Sequence, residues 1–137
     1  MAIKLNIPVQ DHENGGYKKM EVDAEMMKET IGGKLHFVHR NFSSPEDWAV
    51  SEYESGARSG WGWSIASAIT RAESNIHRVG ADKYAEIVDA AIATYGKGKI
   101  NEGVAPEPSG KSWDEIEREL EVLCPIEVFD DDEDDLD

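Results

Sequence analysis

Hydrophobic and polar residues alternate along residues 3–9, which predicts a β-strand that is buried on one face. The turn signal Asn14-Gly15-Gly16 follows, and residues 17–22 are predicted to return as the second strand of a hairpin. Residues 34–40 alternate again and predict a third strand. Between the second and third strands, residues 24–30 are predicted to form a short helical turn that ends at a pair of glycines.

Residues 48–63 are compatible with two structures, a helix that begins at Pro45 or a second β-hairpin with its turn at 54–56. Gly56, Gly60 and Gly62 fall within this stretch. A glycine in a helix interior costs about 1 kcal/mol relative to alanine. We therefore favour the hairpin.

A helical period replaces the alternation after Ser64. Ser64 is predicted to cap a helix that ends at Gly80, and a second helix is predicted from Asp82 to Gly96. Because the link between them is very short, the two helices should form an antiparallel hairpin. The apolar residues of the first helix recur at spacings of three and four and form one stripe: Ile65, Ile69, Ala72, Ile76 and Val79.

A third helix is predicted to begin at Ser112, because Ser112 and Glu115 have the spacing of a capping box. Its apolar stripe consists of Trp113, Ile116, Leu120 and Leu123. Glycines and prolines upstream of it indicate a linker. The pattern does not decide whether this helix packs on the rest of the chain or extends away from it.

These elements predict an α+β fold, with a small antiparallel sheet of three to five strands packed by a helical hairpin. A C-terminal acidic helix and a disordered tail complete it. The predicted organisation is a globular α+β domain over 1–95, a Gly/Pro linker over 96–111, an acidic helix with a short extended segment over 112–129, and a disordered acidic tail over 130–137.

The acidic residues are concentrated at the C-terminal end. The net charge is −15, and residues 114–137 hold 13 of the 29 acidic residues but one of the 14 basic ones, which leaves 16 acids and 13 bases in the preceding part. A negative field repels nucleic-acid backbones and anionic membranes. It favours a basic partner, and a direct interaction with nucleic acid is not expected.

No residue pattern predicts catalytic, cofactor-binding or metal-binding chemistry. Residues His36 and His39 are three apart on a predicted strand, so they should point to opposite faces and form a poor metal clamp. The single cysteine, Cys124, fits a packing role in a reducing compartment. With no leader-like N-terminus or long apolar run, we expect a cytoplasmic, non-enzymatic protein without cofactors.

The run Trp48-Ala49-Val50-Ser51-Glu52-Tyr53-Glu54-Ser55-Gly56, followed by a glycine-rich return and a helix, resembles a hairpin-plus-helix pattern of small accessory proteins of phages and mobile elements. The resemblance covers residues 48–95. It implies a bacterial host cell and an inhibitor of a host defence protein of the CRISPR or restriction type, acting in some cases as a DNA mimic.

The leading hypothesis is an acidic phage-type inhibitor that binds the basic nucleic-acid-binding surface of a host protein. One alternative is a single-stranded nucleic-acid-binding protein with a regulatory tail, and another is an oligomeric assembly factor joined through the third helix. Trp61 and Trp63 are either apolar anchors or core residues. The candidate partner-binding residues are Asp114, Glu115, Glu117, Glu119, Glu121, Asp130, Asp131, Asp132, Glu133, Asp134, Asp135, Trp61 and Trp63.

Overall fold

The structure is a computed structural model that describes residues 3–41, 44–96 and 105–123, with side chains for all of these except 44–45 and 121–123. Within these residues, each β-strand pairs antiparallel with the next one along the chain, and three helices follow the sheet. The elements are β1 (Ile3–Gln10), β2 (Tyr17–Met26), β3 (His36–Asn41), β4 (Ser44–Glu52), β5 (Arg58–Gly62), α1 (Ile65–Val79), α2 (Ala81–Tyr95) and α3 (Trp113–Leu123). The predicted α+β class is confirmed.

The first hairpin has the predicted turn. Gln10 pairs with Tyr17, and Gly15 and Gly16 adopt positive φ angles of 79° and 72°. Asp11 holds the turn because its carboxylate accepts hydrogen bonds from the backbone N–H groups of Glu13 and Asn14. These hydrogen bonds, chiefly those from Asn14, lower the pKa of Asp11.

The helical turn predicted for residues 24–30 is wrong: residues 24–26 belong to a strand, and residues 27–30 form no helix. Strand β2 continues to Met26, which pairs with Phe37, and Ala24 pairs with His39. Alanine and methionine favour helices locally, but here both side chains are buried in the sheet's own core, and this burial outweighs the local preference. The predicted glycine pair, Gly32-Gly33, does reverse the chain.

The second hairpin is also confirmed, as strands β4 and β5. Glu52 closes its turn, because the carboxylate accepts hydrogen bonds from the Ser55 N–H at 2.8 Å and the Ser55 hydroxyl at 2.7 Å. Glu52 is almost completely buried. A buried carboxylate requires such donors, and they fix the path of the chain between the two strands.

The sheet carries a core on each face. One lies under the helices and contains Trp48, Val38 and Val50, and the other contains Leu5, Ile7 and Phe37. The sheet also curls, since the β4–β5 turn touches β1: a Cβ atom on Gly56 would lie 2.6 Å from the carbonyl oxygen of Asn6.

Helix α1 packs directly on the backbone of β5. A Cβ atom on Gly60 would lie 2.5 Å from the backbone nitrogen of Ala72, so only glycine allows this approach. Ser64 caps the helix as predicted, by accepting a hydrogen bond from the Ser67 N–H. The predicted stripe is wrong at its end, because Val79 is exposed. Ala68, which was not predicted to belong to the stripe, is buried.

Helix α3 packs on the body of the protein. Ile116 and Leu120 are part of the core under the helices, and Trp113 packs half-buried against it. Upstream, the Ser109 N–H donates a hydrogen bond to Glu25 on β2. The helices of the described residues are too short and too polar to span a membrane. The predicted disordered tail and Cys124 lie outside the described residues.

Candidate partner-binding surfaces

The acidic face of α3 is fixed by the way in which the helix begins. Ser112 and Glu115 form the predicted capping box, since the Glu115 carboxylate accepts a hydrogen bond from the Ser112 N–H and the Ser112 hydroxyl accepts one from the Glu115 N–H. Ile116 and Leu120 of the apolar stripe face the body. Asp114 and Glu115 are therefore exposed on a helix that is held in place by its packing.

A lysine neutralises part of this acidic face. The ammonium group of Lys111 forms an ion pair with Glu119, and this hydrogen bond lowers the pKa of the Glu119 carboxyl. The same contact raises the pKa of Lys111. Both side chains are solvent-exposed in part, so the pair contributes little to stability. It does place a positive charge within the acidic surface.

The predicted acidic residues differ in their surroundings. Asp114 and Glu115 are exposed, and Glu117 and Glu119 are half-buried. Glu121 belongs to α3, but its side chain is not described. The remaining predicted carboxylates lie outside the described residues: Asp130, Asp131, Asp132, Glu133, Asp134 and Asp135.

The tryptophans fall into two groups. Trp48 is 1% exposed and fills the core under the helices, whereas Trp63 is 73% exposed. Trp61, on β5, is half-buried. Trp63 lies in the two-residue link between β5 and α1, so the chain turns there without folding the ring inward. Tryptophan is highly buried on average, so the exposure of the Trp63 ring makes this residue a candidate for contact with a partner.

Arg71 of α1 joins Trp61 and Trp63 into one surface. Its guanidinium carbon lies 5.0 Å from the centroid of the Trp61 ring and 5.8 Å from that of the Trp63 ring. Both distances are within the range of cation–π attraction. Arg71 was not among the residues predicted from the sequence. The one feature of the sequence that could have identified Arg71 is its position next to Ala72, a residue of the apolar stripe of α1 that packs on β5.

The tryptophan surface and α3 lie on opposite flanks of α1. Ile69 and Glu73 line a cavity with Trp113 and Ile116 of α3, whereas Arg71 contacts the tryptophans. Arg71 and Glu73 are two residues apart, and at 100° per residue their side chains leave the helix in nearly opposite directions. The structure therefore does not bring the predicted acidic and aromatic residues together.

The two strand histidines point to opposite faces, as predicted. The Nε2 atom of His36 lies 2.7 Å from the Tyr84 hydroxyl of α2, and that of His39 lies 2.8 Å from the Ser51 hydroxyl on the other side of the sheet. Burial lowers the pKa of His39 to about 4. Among the described residues, no three histidine, cysteine, aspartate or glutamate side chains group as metal ligands.

No known protein family, curated protein or solved structure matches this chain.

Proposed function

We propose that this protein is an acidic inhibitor that binds a nucleic-acid-processing or defence protein at the basic surface where that protein holds nucleic acid. The observation that supports it most is the packing of α3: buried Ile116 and Leu120 hold the helix on the body, while Asp114 and Glu115 are exposed on it and Glu117 and Glu119 are partly exposed. A pre-organised row of charges loses less entropy on binding than a mobile segment would.

The strength of the proposed interaction depends on salt. Basic channels bind nucleic acid through phosphate contacts, and the attraction falls as counterions compete. A protein that occupies the channel through carboxylates is subject to the same competition. More acidic residues follow α3 in the sequence, and seven of the eight residues over 130–137 are acidic. They add to the negative charge that α3 carries.

Removing all of α3 is a poor test, because Ile116 and Leu120 belong to the core and their loss would destabilise the whole chain. A better variant combines the substitutions Asp114→Asn and Glu117→Gln with truncation of the chain after Leu123. These changes keep the capping box at Ser112 and the Lys111–Glu119 ion pair. The control for the two substitutions on α3 is Glu86→Gln with Asp89→Asn on the exposed surface of α2.

The experiment is capture of proteins from a bacterial lysate at about 0.05 M and about 0.5 M salt, followed by a gel-shift assay of each captured protein with DNA. We expect the wild type and the α2 control to capture a nucleic-acid-binding protein at low salt and to block its DNA binding. The α3 variant should do neither. Capture that survives high salt and is equal for all three chains would contradict the proposal, as would a captured protein that still binds DNA normally.

The tryptophan surface favours a second candidate, direct binding of single-stranded nucleic acid. Bases stack on exposed aromatic rings, and arginine adds cation–π contacts; Trp63 and Arg71 offer both. Tryptophan fluorescence titrated with oligo-dT tests it. Quenching that saturates in the wild type and is lost in Trp63→Ala would establish this candidate, and a flat titration would remove it.

The assembly alternative depends on the apolar stripe of α3, and two residues of that stripe do not support it. Ile116 and Leu120 of the α3 stripe are buried within the same chain, so they are not exposed for a seam between copies.

A further inference from the structure

A cavity of about 360 Å³ lies between the end of β2, α1 and the start of α3. Part of its wall is apolar and consists of Met27, Ile69, Trp113 and Ile116. Ile69 and Trp113 are half-buried, so their side chains are accessible from the cavity. Its volume is at the lower end of the range of small-molecule sites, which is about 300–1,000 Å³. The cavity therefore presents an apolar surface with an indole ring to a small ligand.

The carboxylate of Glu25 on β2 lies at the wall of this cavity. Glu25 is 4% exposed, and it is one of the residues that line the cavity. Its Oε2 atom accepts a hydrogen bond of 2.7 Å from the Ser109 N–H. Pro108 and Gly110, the chain neighbours of Ser109, line the same cavity. This hydrogen bond therefore holds the carboxylate beside the cavity.

Glu25 has fewer hydrogen-bond donors than Glu52, which is also buried. The Glu52 carboxylate accepts hydrogen bonds from the Glu54 N–H, the Ser55 N–H and the Ser55 hydroxyl. Among the described residues, Ser109 alone donates to Glu25, and the Oε1 atom of Glu25 has no donor although it is not sealed from solvent. A buried carboxylate is costly unless donors or a positive charge compensate it. The Oε1 atom is therefore the position at which a cationic donor would be bound.

The charges around the cavity favour a cation. The exposed carboxylates of Glu29 and Glu73 line it together with Glu25. Of the two lysines in the lining, Lys111 is paired with a carboxylate of α3, so three carboxylates are balanced by Lys28 alone. Such a lining attracts cations. Among the described residues these carboxylates do not group as metal ligands, so the cavity suits an organic cation, which needs one carboxylate, better than a metal ion, which needs several.

We propose that this cavity binds a small primary ammonium ion with an aromatic body, of the arylalkylamine class. The ammonium group donates to the Oε1 atom of Glu25, and the aromatic ring lies against Trp113 and Ile69. A primary ammonium fits better than a guanidinium, because the guanidinium fork needs both carboxylate oxygens and Oε2 already accepts the Ser109 N–H. This site does not use the exposed carboxylates of α3 and is independent of the inhibitor proposal.

The test is a titration of the full-length, ¹⁵N-labelled protein with 2-phenylethylamine near neutral pH, followed by amide and indole chemical shifts. We expect saturable shifts that centre on the Glu25 amide and the Trp113 indole. 2-Phenylethanol lacks the charge and should bind at least about tenfold more weakly. Ethylamine lacks the ring and should also bind at least about tenfold more weakly.

Glu25→Gln separates the charge of this side chain from its structural role. Glutamine keeps the size of the side chain and an oxygen for the Ser109 N–H, but it has no negative charge. The affinity for 2-phenylethylamine should fall at least about tenfold, whereas 2-phenylethanol should bind as it does to the wild type. A purely structural role of Glu25 would weaken both ligands alike. Glu21→Gln, at an exposed position on the same strand outside the cavity, is the matched control and should leave both affinities unchanged.

If Glu25→Gln fails to fold, the preference of the wild type for 2-phenylethylamine over the alcohol and over ethylamine decides. The proposal is overturned if 2-phenylethylamine gives no saturable shifts at Glu25 and Trp113, or if either of the other two ligands binds equally well. It is also overturned if folded Glu25→Gln retains the preference for the amine over the alcohol.

Discussion

The hydroxyl group of Tyr84 lies 2.7 Å from the Nε2 atom of His36, and this buried hydrogen bond joins α2 to the middle strand of the sheet. The Nδ1 atom of His36 donates to the Lys34 carbonyl, so Nε2 accepts the phenol hydrogen. The phenol oxygen in turn accepts a hydrogen bond from Ser59 on β5, at 2.6 Å. Burial raises the pKa of Tyr84 to about 12, which keeps the phenol protonated near neutral pH. One side chain thereby attaches α2 to two strands.

Replacing Tyr84 with phenylalanine should destabilise the protein by about 1–3 kcal/mol, because the buried nitrogen of His36 and hydroxyl of Ser59 both lose their partner. Urea unfolding followed by circular dichroism measures the change. Tyr17→Phe is the control. The Tyr17 side chain is 57% exposed, so the loss of its hydroxyl group should change the free energy of unfolding by less than about 0.5 kcal/mol. Equal effects of the two substitutions would show that the hydrogen bonds around Tyr84 do not contribute to the free energy of unfolding.

Acid should destabilise the fold through His39. Its folded pKa of about 4 lies below the unfolded value of about 6.5, so the unfolded state binds more protons between these values. The stability that His39 contributes is present above about pH 6.5 and is lost as the pH falls to about 4. The loss is on the order of 3 kcal/mol, from 1.4 kcal/mol per pKa unit.

The measurement is the free energy of unfolding at several values between pH 4 and pH 7, for the wild type, His39→Gln and His77→Gln. His39→Gln should have a shallower dependence, because the substituted side chain does not titrate. His77 is exposed, and its variant should follow the wild type. His36, whose pKa is also lowered by burial, is present in all three chains and cancels in the comparison. Parallel curves for all three would refute this role of His39.

Gly60→Ala should destabilise the protein by about 3 kcal/mol or more, since a methyl group there meets the backbone of α1 and cannot be accommodated by a side-chain rotation. Gly15→Ala is the control. At Gly15 a methyl group has open space and only the positive φ angle opposes it, at about 1–2 kcal/mol. Thermal unfolding of both variants shows which substitution destabilises the protein more. An equal or smaller effect at Gly60 would mean that α1 does not approach β5 so closely.

Leu120→Ala should cost about 2–5 kcal/mol, which is typical of a large-to-small change at a fully buried site. Arg118→Ala, on the exposed side of the same helix, should be nearly neutral. Chemical denaturation of the two variants gives the difference. A small effect of Leu120→Ala would indicate that α3 is not part of the folded core.

The elements with strong local signals were predictable from the sequence. The Asn14-Gly15-Gly16 turn, the Ser64 cap and the Ser112–Glu115 capping box all depend on residues close together in the chain, and each is found in the structure. The continuation of β2 through Ala24 was not predictable, because it depends on pairing with His39, fifteen residues away. Local helix preference and distant pairing opposed each other there.

The candidate surfaces were predictable only in part. The sequence identified Trp61 and Trp63 but not their exposure, and it did not identify Arg71, because the contact between α1 and the tryptophans depends on how the helix lies on Gly60 and Gly62. The cavity beside Glu25 depends on the return of the chain to the end of β2, where Ser109 donates to Glu25 from 84 residues away. No local pattern encodes such a return.

The order of the strands has a consequence for the growing chain on the ribosome. Because every strand pairs with its neighbour in sequence, most sheet contacts form over short loops and can form early. Leu120, however, reaches its place in the core only after the sheet, α1 and α2 have all been made. A nascent chain that has completed its sheet therefore still exposes apolar surface under the helices, and this is the stage at which chaperones are expected to act.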